Sequence, residues 1–119
     1  MIIADLTQGK APIITPKRFM YDYGQKLRLI GQIPEGARAD ISNLSEPAEV
    51  LDIVDNMIAI PNKYFLCNRD IHIYLGEEGP ESWNTRREIV IPIEYRPAPD
   101  PLPEAFNDDT EGETDNDDQ

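Results

Sequence analysis

The sequence has few of the residues from which catalytic and metal sites are built. It contains one cysteine (Cys67), one histidine (His72) and one tryptophan (Trp83) in 119 residues. A single cysteine excludes an intrachain disulfide and a CxxC pair, and it favours synthesis in a reducing compartment. Phosphate-loop, dinucleotide-binding, HExxH and GxSxG strings do not occur. The sequence therefore predicts no catalytic, no cofactor-binding and no metal-binding residue, and a protein that is not an enzyme.

The isolated polar residues have structural explanations. His72 stands between Ile71 and Ile73, so we expect it on the outer face of a strand, without the partners that a general base needs. Cys67 is predicted to be a buried structural thiol. The acidic residues 115–118 lack the glycine and closing glutamate of an EF-hand loop, so a solvated acidic segment is favoured over a calcium site.

Basic residues and long apolar runs are also scarce. The chain has 11 Lys and Arg against 23 Asp and Glu, which gives a net charge of −12. Nine of the acidic residues and none of the basic ones follow Pro97, so residues 1–97 hold 14 acidic and 11 basic side chains. Such a chain repels phosphate and anionic lipid, which predicts no nucleic-acid and no membrane partner. No apolar run approaches the roughly 18 residues of a membrane span, and residues 1–5 do not begin a signal peptide.

Alternating aliphatic residues are the main structural signal, and they are strongest from Asn68 to Pro97. Ile71, Ile73 and Leu75 fall on every second position, as do Ile89, Ile91 and Ile93. This period is typical of strands with one buried face. Residues 76–84, marked by glycine and proline, predict a turn region between the two strands. The stretch therefore predicts an antiparallel hairpin whose aliphatic side must be covered by other elements.

Shorter alternating segments recur along the rest of the chain. Counted together they give about seven short strands, with turn signals between them and no amphipathic helix of ordinary length. This pattern predicts an all-β fold, a small antiparallel immunoglobulin-like β-sandwich. Residues 61–66 do not alternate, and Pro61 suits the start of a single helical turn.

Composition divides the chain into three regions. Residues 1–16 form an N-terminal arm or edge strand, because Pro12 and Pro16 cannot donate to a central sheet ladder. Residues 17–97 form the β-sandwich domain. Residues 98–119 are rich in proline and then acidic, which predicts a disordered C-terminal tail.

Aromatic residues supply the candidate partner-binding positions. Phe19, Tyr21 and Tyr23 form the densest aromatic run; they either pack at the entry of the first core strand or form a partner surface, where aromatic residues concentrate. Trp83 lies in the predicted charged, glycine-rich loop. It is either an exposed anchor or a side chain that folds back over the sheet.

Several separated segments together resemble one known module. They are residues 21–28 (YDYGQKLR), 60–62 (IPN), 69–74 (RDIHIY), 89–93 (IVIPI) and 96–99 (RPAP). They are similar to the immunoglobulin-like N-terminal module of virion proteins from phages and prophages of Firmicute bacteria, of upper-baseplate, tail or head-fibre type. The resemblance covers about residues 17–100. Tyr21 stands where the family has tryptophan.

The resemblance implies a non-enzymatic structural protein of the virion, synthesised in the host bacterial cytoplasm. Its partners would be other phage structural proteins, and it would form a homo-oligomer within the particle. The family module continues into a fibre, whereas this chain continues into an acidic segment, which favours a capsid decoration or accessory protein. The alternative is a small acidic phage inhibitor of a host defence protein, in which the tail imitates nucleic-acid charge.

Overall fold

The computed structural model describes residues 1–9, 11–33, 35–44, 47–79 and 82–102. These residues form ten strands and one 3-10 turn, and so the all-β prediction is confirmed. The strands are β1 (Ile2–Asp5), β2 (Ile13–Ile14), β3 (Arg18–Phe19), β4 (Lys26–Ile30), β5 (Ala37–Ser42), β6 (Glu49–Leu51), β7 (Met57–Ala59), β8 (Ile71–Gly79), β9 (Ser82–Ile91) and β10 (Ile93–Glu94). The 3-10 turn, Asn62–Phe65, confirms the predicted helical turn. No helix among these residues is long and apolar enough to span a membrane.

Two sheets share one core. The smaller has the order β1-β4-β7 and the larger β2-β9-β8-β5-β6, while β3 and β10 form a separate pair. The alternating aliphatics of both sheets point inward to a single cluster, in which Leu27, Ile58, Ile73 and Ile91 are completely or almost completely buried. Burial of one such side chain contributes about 1.5–3 kcal/mol, so this cluster is what holds the sheets face to face.

The N-terminal segment adds parallel pairs to sheets that were predicted to be antiparallel. β1 pairs with β4, β2 with β9 and β3 with β10, all in parallel. Thr15 N–H donates to the Val90 carbonyl (3.0 Å) and Arg18 N–H to the Pro92 carbonyl (2.9 Å). Residues 13–19 therefore run alongside β9 and β10. Pro16 and Pro92 lie where this ladder is interrupted, because proline has no N–H to donate.

The hairpin is longer than the sequence predicts. Residues 76–84 were predicted to be a turn region, but β8 continues to Gly79 and β9 begins at Ser82. The register shifts between Leu75 and Gly76. Leu75 pairs with Arg87 and Gly76 with Thr85, so the extra residue of this bulge is Arg86 of β9. A bulge bends a strand without ending it, and therefore the turn is shorter than the sequence predicts.

The structure describes the three predicted regions to different extents. β1 and β2 each lie at the end of a sheet order, so residues 1–16 supply edge strands. Ile2 and Ala4 are buried in the common core, so this region packs with the sandwich instead of projecting as an arm. Residues 98–102 lie beyond the last strand. The rest of the predicted acidic tail, residues 103–119, lies outside the described residues.

Candidate interaction surface

A tight turn carries the aromatic run. Asp22 N–H donates to the Phe19 carbonyl (3.2 Å), which closes a four-residue turn. The Asp22 carboxylate in return accepts from Phe19 N–H at 2.9 Å. Tyr21 N–H donates to the Phe65 carbonyl at 2.8 Å, which ties the turn to the end of the 3-10 turn. Hydrogen bonds from three directions thus fix the position of this turn.

Tyr21 has an unusual backbone conformation. Its φ is +71°, in the left-handed region that glycine and asparagine occupy readily and a bulky side chain does not. For an L-residue other than glycine this conformation costs roughly 1–2 kcal/mol. Such strain persists only where the surroundings determine the geometry, and it is frequent at functional sites. The turn is therefore held in a defined shape at a cost in stability.

Tyr21 and Tyr23 pack partly against the core, which is one of the two alternatives left open by the sequence. Both are half-buried and lie against the core cluster, and their rings meet edge to face with 6.5 Å between centroids. The Tyr23 hydroxyl is buried and has no hydrogen-bond partner among the described residues. Burial raises the pKa of the Tyr23 phenol, and the neighbouring Tyr21 raises it further. Tyr23 is thus a neutral packing residue.

Phe19 is the exposed member of the run. Its relative exposure is 38%, and Lys17 Nζ lies 5.4 Å from its ring centroid. Lys17 also forms an ion pair with Glu94, which is opposite Phe19 in the β3–β10 pair. The two charges beside the ring therefore compensate each other.

Two further exposed apolar residues are brought to this end of the sandwich. Tyr95 follows Glu94, the partner of Phe19 in β10, and is 62% exposed. Leu66 follows Phe65, whose carbonyl accepts from Tyr21, and is 40% exposed. We call Phe19, Tyr21, Tyr23, Leu66 and Tyr95 the aromatic end. Leu66 and Tyr95 are not predicted from the sequence as part of this surface, since neither lies near the aromatic run in the chain.

Trp83 lies elsewhere. It is in β9, with its backbone opposite Glu78, and its side chain lies outside the described part of the structure. Ile91 lies eight positions further along β9, which is about 26 Å at a rise of roughly 3.3 Å per residue. Phe19 pairs with Glu94 of β10, which follows the Ile91 end of β9. Trp83 and the aromatic end are therefore separate candidates, and the role of each in binding stays a prediction.

The segments that carry the family resemblance meet through hydrogen bonds. The Asn62 side-chain oxygen accepts from Gly24 N–H at 2.9 Å, and Ile60 N–H donates to the Gln25 carbonyl at 3.1 Å. These two bonds join residues 21–28 to residues 60–62. Asn62 is almost fully buried, so it serves a backbone group that would otherwise lack a partner.

A second joint connects the other two segments. The Asp70 carboxylate accepts from Ile93 N–H at 3.2 Å, which fixes the start of β10 against the residue before β8. The distinctive polar residues of the motif thus bond to backbone groups where strands begin and turns close. Their chemistry explains the architecture and supplies no reactive group.

The outer face of the larger sheet carries a small polar cluster. His72 Nδ1 lies 2.9 Å from a Glu88 carboxylate oxygen, and the His72 ring stacks on Tyr74 with 6.3 Å between centroids. His72 is half-buried and on the outer face, as its phase predicts. Cys67 is half-buried too, whereas we expected a buried thiol. Among the described residues, no group of three His, Cys, Asp or Glu side chains is placed to hold a metal ion.

Comparison with known proteins gives similarities to solved structures alone. No protein-family model matches the chain, and no curated protein does. Among the solved structures similar to it is the N-terminal domain of phage TP901-1 ORF48, at 13% identity and a TM-score of 0.44. The alignment covers 78% of this chain and 95% of that one. At this score the similarity carries no argument about function.

Proposed function

We propose that this protein is a non-enzymatic structural or accessory protein of a phage particle, and that it docks on a capsid, tail or baseplate surface through the aromatic end. The observation that carries the proposal is the exposure of Phe19 on a strained and firmly bonded turn, with exposed Leu66 and Tyr95 each one residue from a position that bonds to or pairs with that turn. A rigid apolar surface of this kind loses little conformational entropy when it binds.

The composition of the aromatic end suits a docking surface. Aromatic residues are enriched in the desolvated centres of protein interfaces, and charged residues are depleted there. Two of the charges beside Phe19, those of Lys17 and Glu94, pair with each other, and the Asp22 carboxylate accepts from Phe19 N–H. A partner that covers this surface therefore meets charged groups that already have a partner within the protein.

The sequence resemblance supplies the biological setting of the proposal. The resembling segments are the ones that Asn62 and Asp70 join, so the resemblance concerns the framework on which the aromatic end is built. On this basis we propose other phage structural proteins as partners, the virion as location, and neither nucleic acid nor membrane as a ligand. No catalytic role is proposed for any residue.

Mass spectrometry of purified particles from the parent phage tests the proposal. We expect the protein in a constant ratio to the major structural proteins after the particles are washed in high salt. Absence from particles, with abundant protein in infected cells, would contradict the proposal. That result would favour the alternative, an acidic inhibitor of a host defence protein. A pull-down from infected cells would then identify the host protein that it binds.

A further inference from the structure

The first strand has an open outer edge. β1 lies at the end of its sheet and pairs with β4 in parallel. Leu6 N–H donates to the Ile30 carbonyl at 2.8 Å, and N–H groups along a strand alternate in direction. The N–H groups of Ala4 and Ile2 therefore point to β4, whereas those of Ile3 and Asp5 point outward. Among the described residues, no strand pairs with this outward side.

The side chains on this edge are apolar and exposed. Ile3 is 53% exposed, and Ile14 on the neighbouring edge strand β2 is 65% exposed. A groove of about 430 Å³ lies between them, so the outer side of Ile3 is accessible. Proteins usually protect such an edge with a lysine, a proline or a bulge. β1 itself (Ile2–Asp5) contains neither lysine nor proline.

This edge also carries few charges. Residues 1–16 contain only Asp5 and Lys10 as charged residues, in a protein of net charge −12. The Asp5 carboxylate already accepts from Thr7 N–H at 3.0 Å and from Gln8 Nε2 at 3.1 Å. Two copies that repel each other elsewhere can therefore approach here without opposing free carboxylates.

We propose that two copies of this chain pair through β1, antiparallel and with Ile3 opposite Ile3 of the second copy. In this register each Ile3 N–H donates to the Ile3 carbonyl of the other copy, and the two exposed side chains meet across the twofold axis. Two β1-β4-β7 sheets thereby become one continuous sheet. A second copy fits because the outward N–H and carbonyl of Ile3 are satisfied by the same groups of the other copy. The outward carbonyls of Met1 and Asp5 already accept from Arg18 Nη2 (3.2 Å) and Gln8 N–H (3.4 Å), so the pairing depends on the central Ile3 pair.

Charges on the outer face of the sheet favour the same register. Arg28 is opposite Ile3 within each copy. Extending that register by one residue places Lys26 opposite Met1. Met1 in turn would lie across the new interface from Asp5 of the second copy. Each Asp5 would then be two strand spacings, about 10 Å, from Lys26 of the other copy. This distance is about one Debye length at moderate salt, so the attraction between Asp5 and Lys26 is modest. It acts against the repulsion between two chains of the same net charge.

The opposite edge of this sheet is less suitable. Next to β7, Val54 and Met57 exchange backbone hydrogen bonds, both of 2.9 Å. These bonds occupy outward groups of β7 that a second copy would need. Val50, on the edge strand β6, has a similar exposure to Ile3 (52%), which makes it a matched control position.

Sedimentation equilibrium of the full chain, from about 1 to 200 μM at moderate salt, tests the proposal. We expect a monomer–dimer equilibrium for the unmodified chain. Ile3→Lys, which places a charge on the twofold axis, should raise the dimer dissociation constant at least tenfold, since burying unpaired like charges is costly. Val50→Lys should leave the constant unchanged. Thermal melts of both variants establish that they fold, as expected for exposed positions.

Amide hydrogen exchange on the unmodified chain gives an independent measurement. Protection of the Ile3 amide should rise with protein concentration, whereas the Ala4 amide, directed to β4, should be protected at every concentration. A monomer throughout the range, or a dimer whose Ile3 amide stays unprotected, would overturn the proposal. Neither result bears on docking through the aromatic end, because Ile3 is not part of that surface. Particle incorporation of a strictly monomeric chain would therefore leave the proposed function standing.

Discussion

The strain at Tyr21 can be measured by comparing two substitutions that remove the same ring. Tyr21→Ala and Tyr21→Gly both delete the half-buried side chain and its edge-to-face contact with Tyr23. They differ only in Cβ, and at φ +71° a Cβ costs roughly 1–2 kcal/mol. Glycine in turn loses more backbone entropy on folding, by about 0.5–1 kcal/mol. The glycine variant should therefore be more stable by roughly 0.7 kcal/mol, the middle of a range of about 0–1.5 kcal/mol.

Urea denaturation of both variants, followed by far-UV circular dichroism, measures this difference, and the m-values establish whether the unfolded states are comparable. In thermal melts, 1 kcal/mol corresponds to about 4–8 °C for a domain of 60–100 residues. Both variants should be less stable than the unmodified chain, because the ring packs on the core. If the alanine variant were more stable than the glycine variant, Tyr21 would not be strained, and the conformation of the turn would have to be explained differently.

Three further predictions concern the framework. Asn62→Ala should cost about 0.5–1.5 kcal/mol in urea denaturation, because it removes the hydrogen bond from Gly24 N–H to the Asn62 side-chain oxygen. Asn68→Ala, at an exposed position, should change stability by less than about 0.5 kcal/mol, and equal losses would mean that the Asn62–Gly24 bond has no special role. Ile91→Ala should lower the free energy of unfolding by about 2–5 kcal/mol, and Val90→Thr on the outer face should lower it by less. Chemical denaturation measures both values. Similar losses would show that the inward and outward faces of β9 are misassigned. Deletion of residues 104–119 should leave the melting temperature nearly unchanged, because Ile93 is the last residue of the core cluster in the described part of the chain. A fall of more than a few degrees would show that the tail packs on the body.

The sequence predicts the interior of this fold well and its edges poorly. Alternation identifies the buried faces of β4, β5, β8 and β9, since an aliphatic residue at every second position has one simple explanation. β2, β3 and β10 have two residues each, which is too short for a period to be visible. Their parallel pairing depends on contacts between distant parts of the chain, which no local pattern encodes.

The candidate surface was predictable only in part. The aromatic run at Phe19, Tyr21 and Tyr23 is visible in the sequence, but which of these side chains is exposed depends on the turn that Asp22 and Phe65 hold. Leu66 and Tyr95 reach the same end through a 3-10 turn and a parallel strand pair. A glycine at a bulge and a glycine in a loop look alike in sequence, which is why Trp83 was predicted in a loop although its backbone belongs to β9.

Competitive incorporation into particles tests the central claim most directly. During infection, the unmodified chain would be co-expressed with the double variant Phe19→Ala/Tyr95→Ala, and their ratio in purified particles compared with that in the cell. Truncating two interface anchors should cost at least about 2 kcal/mol, or roughly thirtyfold in affinity, so the double variant should be nearly absent from particles. The matched control Val54→Ala, at an exposed apolar residue away from the aromatic end, should be incorporated at its cellular ratio. Equal incorporation of the double variant would contradict the account, and exclusion of only a chain lacking residues 104–119 would show that the acidic segment is the ligand.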